Sequence, residues 1–179
     1  MSNKVILTAA VTGAVHIPSM SHYLPDTPDK IIAEAVAACR AGAAVVHLHA
    51  RDPKDGRPSS HTALMKYITD GVRAQCDVVV GITTGGAIGM NIEERLSSVP
   101  VCKAELACCN AGSVNFCFAR IAEKIKQPKY DWEIPFVKNT YTVPFANTFQ
   151  DIEDYVRVMN ENGTKPKFEV YEVGMISNI

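Results

Sequence analysis

The sequence predicts an α/β fold in which parallel strands alternate with helices, as in a (β/α) barrel. Apolar runs alternate with stretches of helical periodicity along the 179 residues. The runs are nearly continuous, which is typical of strands buried on both faces of a parallel sheet. No Walker A or G-x-G-x-x-G sequence occurs, so a nucleotide-binding Rossmann domain loses support.

The elements follow in order from the N-terminus. The apolar run at 5–11 predicts a strand. Thr27, Pro28 and Asp29 then predict a helix start, with a capping hydroxyl, a proline at the first helical position and an acidic side chain near the helix dipole. Gly42 ends that helix. The same signals predict strands at 43–50, 77–82, 104–108 and 167–173 and helices at 62–74, 92–96 and 151–162.

A proline-containing segment at 118–147 interrupts this alternation and is predicted to be an irregular insertion. A complete (β/α)₈ barrel takes about 250 residues, so five strands in 179 residues are too few for one. We therefore expect a single domain, 1–179, that forms about the first five βα units of a TIM barrel and is truncated at the C-terminus.

Composition excludes several function classes. The chain is 47% hydrophobic and 21% charged, with a net charge of -1 and no basic block, so we expect no nucleic-acid or membrane partner. The N-terminus has no signal-peptide pattern, and a cytoplasmic location is the default. The six cysteines include no C-x-x-C pair and are expected to be reduced, mostly buried thiols.

The strongest chemical signal is the pair His47 and His49 at the end of the second predicted strand. Side chains two residues apart on a strand share a face, so both imidazoles can reach one metal ion. The C-terminal ends of the strands carry the active site in (β/α) barrels. The pair is therefore predicted to bind a metal, although two hydrogen-bonded core histidines would have the same spacing.

The ends of the next two strands carry candidate substrate-binding residues. Thr83, Thr84, Gly85 and Gly86 offer hydroxyl and backbone N–H groups to a carboxylate or phosphate, and Asn110 offers an amide. The alternative is that the glycines form a tight turn and that Asn110 belongs to an Asn/Ser turn.

Two acidic residues are candidates for a supporting role. Asp52 follows the histidines and is predicted to orient one of them through its free ring nitrogen. Glu169 and Glu172 are an odd number of residues apart and so point to opposite faces of a strand. Glu172, nearer the strand end, is the better candidate, with a structural ion pair as the alternative.

Motifs along essentially the whole chain resemble the β-keto acid cleavage enzyme family, with the 3-keto-5-aminohexanoate cleavage enzyme as its best-known type. They are LTAAVTGA (7–14), LPDTP (24–28), AGAAVVHLHARD (41–52), TTGG (83–86), ERL (94–96), NAGSVNF (110–116) and FEVYEVGM (168–175). The resemblance implies a TIM barrel, Zn²⁺ or another divalent metal, and a homo-oligomer, a tetramer in the family. It also implies that a β-keto acid and acetyl-CoA are converted to acetoacetate and a new acyl-CoA.

By motif position, the resemblance assigns the metal to His47 and His49 and the keto acid to Thr83 and Asn110. It places a third ligand, a glutamate, and an Arg/Asp general base beyond the last residue, so no catalytic base is assigned here. Val15 stands where some relatives carry an acidic residue, and Cys108 stands where the best-known type has a threonine.

Three readings stay open from sequence alone. The chain is part of an active zinc-dependent cleavage enzyme, or it is a non-catalytic fragment that serves as a ligand-binding or oligomeric domain. The third is another metal-assisted aldolase or lyase on the same barrel, since a fold does not fix its chemistry. The sequence does not name the keto acid.

Overall fold

The structure, a computed structural model, describes residues 4–85 and 89–179. Its strands are β1 (Thr8–Ala10), β2 (Val45–Leu48), β3 (Val79–Ile82), β4 (Leu106–Asn110) and β5 (Lys165–Glu169). Its α-helices are α1 (Pro28–Arg40), α2 (Thr62–Arg73), α3 (Ile92–Leu96), α4 (Ser98–Cys102), α5 (Glu133–Asn139) and α6 (Phe149–Glu161). Short 3₁₀ helices lie at Pro18–Met20, Ala119–Glu123 and Val173–Asn178.

The strands form one parallel sheet in the order β1-β2-β3-β4-β5. The predicted α/β fold with a parallel sheet is confirmed. Each strand is added on the same side of the one before, and crossovers between parallel strands are right-handed, so the connecting helices belong on one face of the sheet. In agreement, α1 and α2 contact β2, and α6 contacts β4 and β5.

The hydrophobic core lies between the sheet and these helices. Val46 and Leu48 of β2 and Val80 and Ile82 of β3 belong to it, and all four are fully buried. Successive side chains of a strand point to opposite faces, so His47, between two core residues, points away from the helices. The helix-free face of the sheet is thus where the polar residues collect.

Local sequence signals set most of the helix boundaries. The Thr27 side chain accepts a hydrogen bond from the Lys30 backbone N–H, and Pro28 begins α1, as predicted. Gly42, just after this helix, has a φ of 106°, a conformation that favours glycine. A capping box between Thr148 and Asp151 starts α6 slightly before the predicted 151–162.

Some boundaries differ from the prediction. The last strand is Lys165–Glu169, not 167–173, and its Pro166 is tolerated because β5 is the outermost strand of the described sheet. The segment 118–147 contains α5, whose Pro135 lies in the first turn, where a missing N–H costs no helical hydrogen bond. None of the described helices is long and apolar enough to cross a membrane.

Candidate active site at the carboxyl ends of the strands

His47 and His49 converge at the end of β2, on the helix-free face of the sheet. Their Nε2 atoms are 3.0 Å apart, and their rings are nearly perpendicular, at 88°. Two nitrogens bound at about 2.0–2.1 Å to one ion lie roughly 3 to 3.5 Å apart. The structure therefore places the two predicted ligands in the geometry of a shared ion.

Both imidazoles are electrically neutral at physiological pH. Burial, helped by the positive charge of Lys167, lowers the pKa of His47 to about 4. Burial, followed by the proximity of the His47 ring and the positive charge of Arg51, holds the pKa of His49 well below its usual range. A metal ion requires the neutral imidazole, so both rings are in the form that coordinates.

The other ring nitrogen of His49 is left without a partner in the described part of the chain. The Nδ1 atom of His49 is buried and has no hydrogen-bond partner among the described residues. This nitrogen is not the one that faces His47, so it does not bear on the shared ion. Two neutral rings whose Nε2 atoms face each other fit a divalent metal bound between them, and His47 and His49 are the residues that would hold it.

Two further ligand-type side chains lie beside His47. Cys108 is on β4, and its Sγ lies 3.6 Å from the His47 Nε2. Glu169 is on β5 and accepts a hydrogen bond from the Cys108 thiol, with 2.9 Å between Sγ and Oε1. Ligand atoms of His47, Cys108 and Glu169 all lie within 4.8 Å of one another, so three neighbouring strands contribute to one cluster.

Glu169 is the charged group of this cluster. Burial would raise the pKa of Glu169, but the Cys108 hydrogen bond and the Lys167 ammonium group outweigh it and lower that pKa. Burial and the Glu169 charge raise the pKa of the Cys108 thiol. At neutral pH the cluster accordingly holds a carboxylate, a thiol and two neutral imidazoles.

Glu169, not Glu172, is the acidic residue that the structure brings to the histidines. The prediction favoured Glu172 because it assumed that the strand continued to 173. The strand ends at Glu169, so the parity argument does not extend to Glu172, which is exposed and precedes a 3₁₀ helix. The sequence signal that finds Glu169 is its even spacing from Lys165 and Lys167 on one face of β5.

Asn110 is the last residue of β4, and only one of the two polar atoms of its side-chain amide has a hydrogen-bond partner among the described residues. Its Oδ1 accepts a hydrogen bond from the Tyr171 hydroxyl at 3.3 Å, and the same hydroxyl lies 3.1 Å from Glu169. Its Nδ2 is buried and has no partner among the described residues. This is a free donor at the site where sequence reasoning expected a substrate.

The residues of the predicted substrate loop after β3 have two different roles, since some line the cavity and one holds the loop in place. Thr83 and Gly85 line the cavity next to the histidines. Thr84 does not line it, because its buried hydroxyl donates a hydrogen bond to the Cys108 carbonyl and fixes the loop to β4. Gly86 lies outside the described residues.

Among the described residues, the Asp52 carboxylate makes no hydrogen bond to either histidine. The chain leaves β2 after Leu48 and turns, and the Asp52 carboxylate accepts the Lys54 backbone N–H at 2.9 Å. The expected role in orienting a histidine therefore finds no contact. Its neighbour Arg51 is fully buried and donates hydrogen bonds to Thr12, Gly13 and His16 in the loop that follows β1.

These residues open onto a cavity of about 400 Å³. Its floor is polar and is formed by the strand ends: His47, His49, Thr83, Asn110, Glu169 and Tyr171. Its walls are mostly apolar and come from loops and from the segment 118–147, including Val15, Met20, Phe118, Phe136, Val143 and Phe145. The volume suits a small metabolite.

The sequence has relatives along nearly its full length. A family model described as beta-keto acid cleavage enzyme matches residues 4–179. The chain belongs to the beta-keto acid cleavage enzyme family. The resemblance that the sequence motifs carried is thereby confirmed.

Curated members of the beta-keto acid cleavage enzyme family cover the chain from end to end. It is 44% identical over 176 residues to a 3,5-dioxohexanoate:acetyl-CoA acetone transferase of Paraburkholderia graminis. It is 32% identical over 177 residues to a 3-keto-5-aminohexanoate cleavage enzyme of Fusobacterium nucleatum. These alignments cover 98% of this chain but 57% and 56% of the two relatives, so the chain spans little more than half their length.

A solved structure shares the fold of this beta-keto acid cleavage enzyme family member. It is a ternary complex of ObcA with a C4-CoA adduct and oxalate, with a TM-score of 0.66 and 22% sequence identity. The match covers 88% of this chain and 33% of that chain. At this identity the comparison supports the α/β fold and not the chemistry.

Proposed function

We propose that the protein is a metal-dependent β-keto acid cleavage enzyme. In the proposed reaction a β-keto acid, R–CO–CH₂–COO⁻, and acetyl-CoA exchange acyl groups to give acetoacetate and the new acyl-CoA, R–CO–SCoA. The observation that carries the proposal is the convergence of His47 and His49, with the free Asn110 amide, in the cavity of a family member. The similarity to a 3,5-dioxohexanoate:acetyl-CoA acetone transferase and to a 3-keto-5-aminohexanoate cleavage enzyme supports the same reaction class.

His47 and His49 are the residues proposed to hold the ion, which is Zn²⁺ or another divalent metal. When bound, such an ion acts as a Lewis acid on the keto carbonyl. The resemblance places a third ligand and the general base beyond Ile179. Among the described residues, Glu169 and Cys108 are the other ligand-type groups within reach.

The other polar groups are suited to binding and orienting the acid. Asn110 Nδ2 is an unused donor for a substrate oxygen. The Thr83 hydroxyl accepts a hydrogen bond from the Gly85 backbone N–H at 2.9 Å, so its own hydrogen is free to point into the cavity. Gly85 leaves space there, because a Cβ would lie 3.2 Å from the Thr83 hydroxyl.

The proposal includes the wider assembly. The sequential strand order and the coverage of relatives support a (β/α)₈ barrel to which this chain contributes about five units. Acetyl-CoA is the proposed co-substrate, and a homo-oligomer and a cytoplasmic location remain part of the proposal.

Metal content and activity test the proposal together. We expect the purified protein to bind one zinc ion, measured by mass spectrometry of the metal, and to form acetoacetate from a β-keto acid only with acetyl-CoA. His47→Ala and His49→Ala should each lose the zinc. His22→Ala is the matched control because His22 is exposed and does not line the cavity.

The outcomes separate the alternatives. Stoichiometric zinc retained by both histidine variants would overturn the ligand assignment. Zinc and keto-acid binding without turnover would favour the alternative of a non-catalytic ligand-binding domain. Cleavage that does not depend on acetyl-CoA would favour another metal-assisted lyase.

A further inference from the structure

Tyr171 lines the cavity but has no part in the proposed binding of the acid. It follows the end of β5 by two residues, and its hydroxyl group returns to the two strand ends beside it. The hydroxyl lies 3.3 Å from Oδ1 of Asn110 on β4 and 3.1 Å from Oε2 of Glu169 on β5. Asn110 and Glu169 are direct partners in the register of these parallel strands. The Tyr171 hydroxyl therefore bridges the side chains of one cross-strand pair.

The position of Tyr171 is also fixed by contacts that do not involve its hydroxyl. Its backbone N–H donates to Sδ of Met175 at 3.4 Å, and its ring centroid lies 6.0 Å from that of Phe116. The Asn178 amide donates to the carbonyl of Ala111 at 2.7 Å, which joins the 3₁₀ helix after Tyr171 to the chain just after β4. The phenol is thus held in place before it makes a hydrogen bond of its own.

The Tyr171 phenol is a hydrogen-bond donor at this position. Burial and the charge of Glu169 raise its pKa, so the hydroxyl keeps its proton. The atom of Asn110 that faces it is the amide oxygen, which accepts the bond. A side-chain amide is planar, with its oxygen and its NH₂ group on separate branches, so fixing the oxygen also fixes the direction of the NH₂ donor.

The Glu169 carboxylate makes this orientation sensitive to the hydroxyl. An ionised carboxylate accepts hydrogen bonds and donates none, so it attracts the NH₂ branch of a neighbouring amide and not its oxygen. With the phenol between them, Asn110 and Glu169 both turn oxygen atoms toward one donor. Without that donor, the buried Asn110 amide would be free to turn its NH₂ group toward Glu169.

We propose that Tyr171 is a positioning residue whose hydroxyl orients the Asn110 amide, so that the NH₂ group is presented to a substrate oxygen. The inference rests on the proposed function for the identity of the ligand. It adds a residue that acts through Asn110 and not on the reacting atoms. It also predicts that the two side chains contribute to binding as one unit.

Binding of acetoacetate, the product of the proposed reaction, to the zinc-loaded protein tests this inference by titration calorimetry. Tyr171→Phe keeps the ring and removes the hydroxyl, and it should weaken binding about fivefold, the effect of one hydrogen bond. Bound zinc, measured by mass spectrometry of the metal, should stay at the level of the unsubstituted protein. Tyr23→Phe is the matched control, because Tyr23 is 81% exposed and does not line the cavity.

A double-mutant cycle separates positioning from a structural role. In an Asn110→Ser background, Tyr171→Phe should change the affinity for acetoacetate by less than about twofold, because the amide that it orients is gone. An equal loss in both backgrounds would overturn the inference and assign the effect to Glu169 or to the loop itself. Circular dichroism checks that the variants fold.

Nuclear magnetic resonance of the ligand-free protein gives a test that needs neither ligand nor an Asn110 variant. The side-chain NH₂ signals of Asn110 should move in Tyr171→Phe and stay in place in Tyr23→Phe. Unchanged signals in Tyr171→Phe would overturn the orienting contact.

The results distinguish this inference from the proposed function. If acetoacetate binds Tyr171→Phe as tightly as the unsubstituted protein, the positioning inference fails alone. If the unsubstituted protein holds no zinc and binds no acetoacetate, the proposed function fails, and shifted Asn110 signals would support the orienting contact independently of it.

Discussion

Arg51 is a buried cation whose partners are loop oxygens and not a carboxylate. Its Nε donates to the Thr12 hydroxyl at 2.8 Å, and its two terminal nitrogens donate to the carbonyls of Gly13, His16 and Gly56 at 2.7–2.8 Å. Burial lowers the pKa of Arg51 to about 10, so it stays charged at neutral pH. This side chain fixes the loop that forms one wall of the cavity.

Arg51→Met should therefore be strongly destabilising. The substitution leaves several carbonyls without donors in a buried region, and each such group costs about 1–3 kcal/mol. We expect a loss of about 3 kcal/mol or more in urea unfolding. The control is Arg57→Met, an exposed arginine whose replacement should stay within about 0.5 kcal/mol. Equal effects of the two substitutions would contradict the role given to Arg51.

The cysteines should differ in reactivity according to their surroundings. Cys108 is 2% exposed, and burial and Glu169 raise the pKa of its thiol, whereas Cys117 is exposed. Because the thiolate is the nucleophile, iodoacetamide at pH 8 should label Cys117 first and leave Cys108 unmodified. Peptide mass spectrometry over time checks the order, and labelling of Cys108 at the Cys117 rate would show that the cluster is open to solvent.

At the level of elements, the sequence predicts both the strand β2 and its chemistry, whereas for β5 it predicts a strand but favours Glu172 over Glu169. In β2 the apolar run and the two histidines lie in one short segment, so a period of two gives both the strand and the shared face. In β5 the alternation of Lys165, Lys167 and Glu169 is polar and resembles an exposed strand. The importance of Glu169 comes from its neighbour Cys108 on β4, a contact that local sequence does not encode.

Asp26 connects two elements through its carboxylate. It accepts from Lys30 of α1 at 2.8 Å and from Lys129 of the segment 118–147 at 3.0 Å. Burial alone would raise the pKa of Asp26, but these two ammonium groups lower it below 3.8. The stabilisation is thus complete above the unfolded pKa and is lost as the pH falls through the folded one.

Asp26→Asn should remove this contribution. We expect a loss of about 1 kcal/mol or less near pH 7, because both lysines are largely exposed. The difference from the unsubstituted protein should shrink as the pH falls and vanish once the carboxyl group is protonated in the folded state as well, at a pH below its lowered pKa. Urea unfolding at several pH values measures it, and a difference that persists unchanged at low pH would exclude the ion pairs as its cause.

For the whole molecule, the alternation of strands and helices was sufficient to predict a parallel sheet with polar residues at its carboxyl edge. The packing of the segment 118–147 was not predictable. It is held by long-range contacts, such as the Ser19 backbone N–H donating to Glu133 at 3.2 Å and the Trp132 indole donating to the Asp55 carbonyl at 3.2 Å. No periodic pattern in the sequence predicts such contacts. They position the segment 118–147, which supplies part of the apolar cavity wall.

Metal binding should couple the site to the stability of the whole chain. An ion that binds the folded state and not the unfolded one stabilises it by about 2.7 kcal/mol at a concentration of 100 Kd. For a chain of this size that corresponds to roughly 5–10 °C in Tm. Zinc should therefore raise the Tm and a chelator should reverse the effect, as measured by calorimetry.

The double variant His47→Ala, His49→Ala separates site binding from non-specific effects of zinc. Removing two neutral buried rings also removes the cost of the partnerless His49 Nδ1, so the metal-free variant need not be much less stable. Its Tm should no longer respond to zinc, while that of His22→Ala should rise as in the unsubstituted protein. A zinc response that survives in the double variant would place the ion elsewhere, because the only paired imidazoles among the described cavity residues would then be gone.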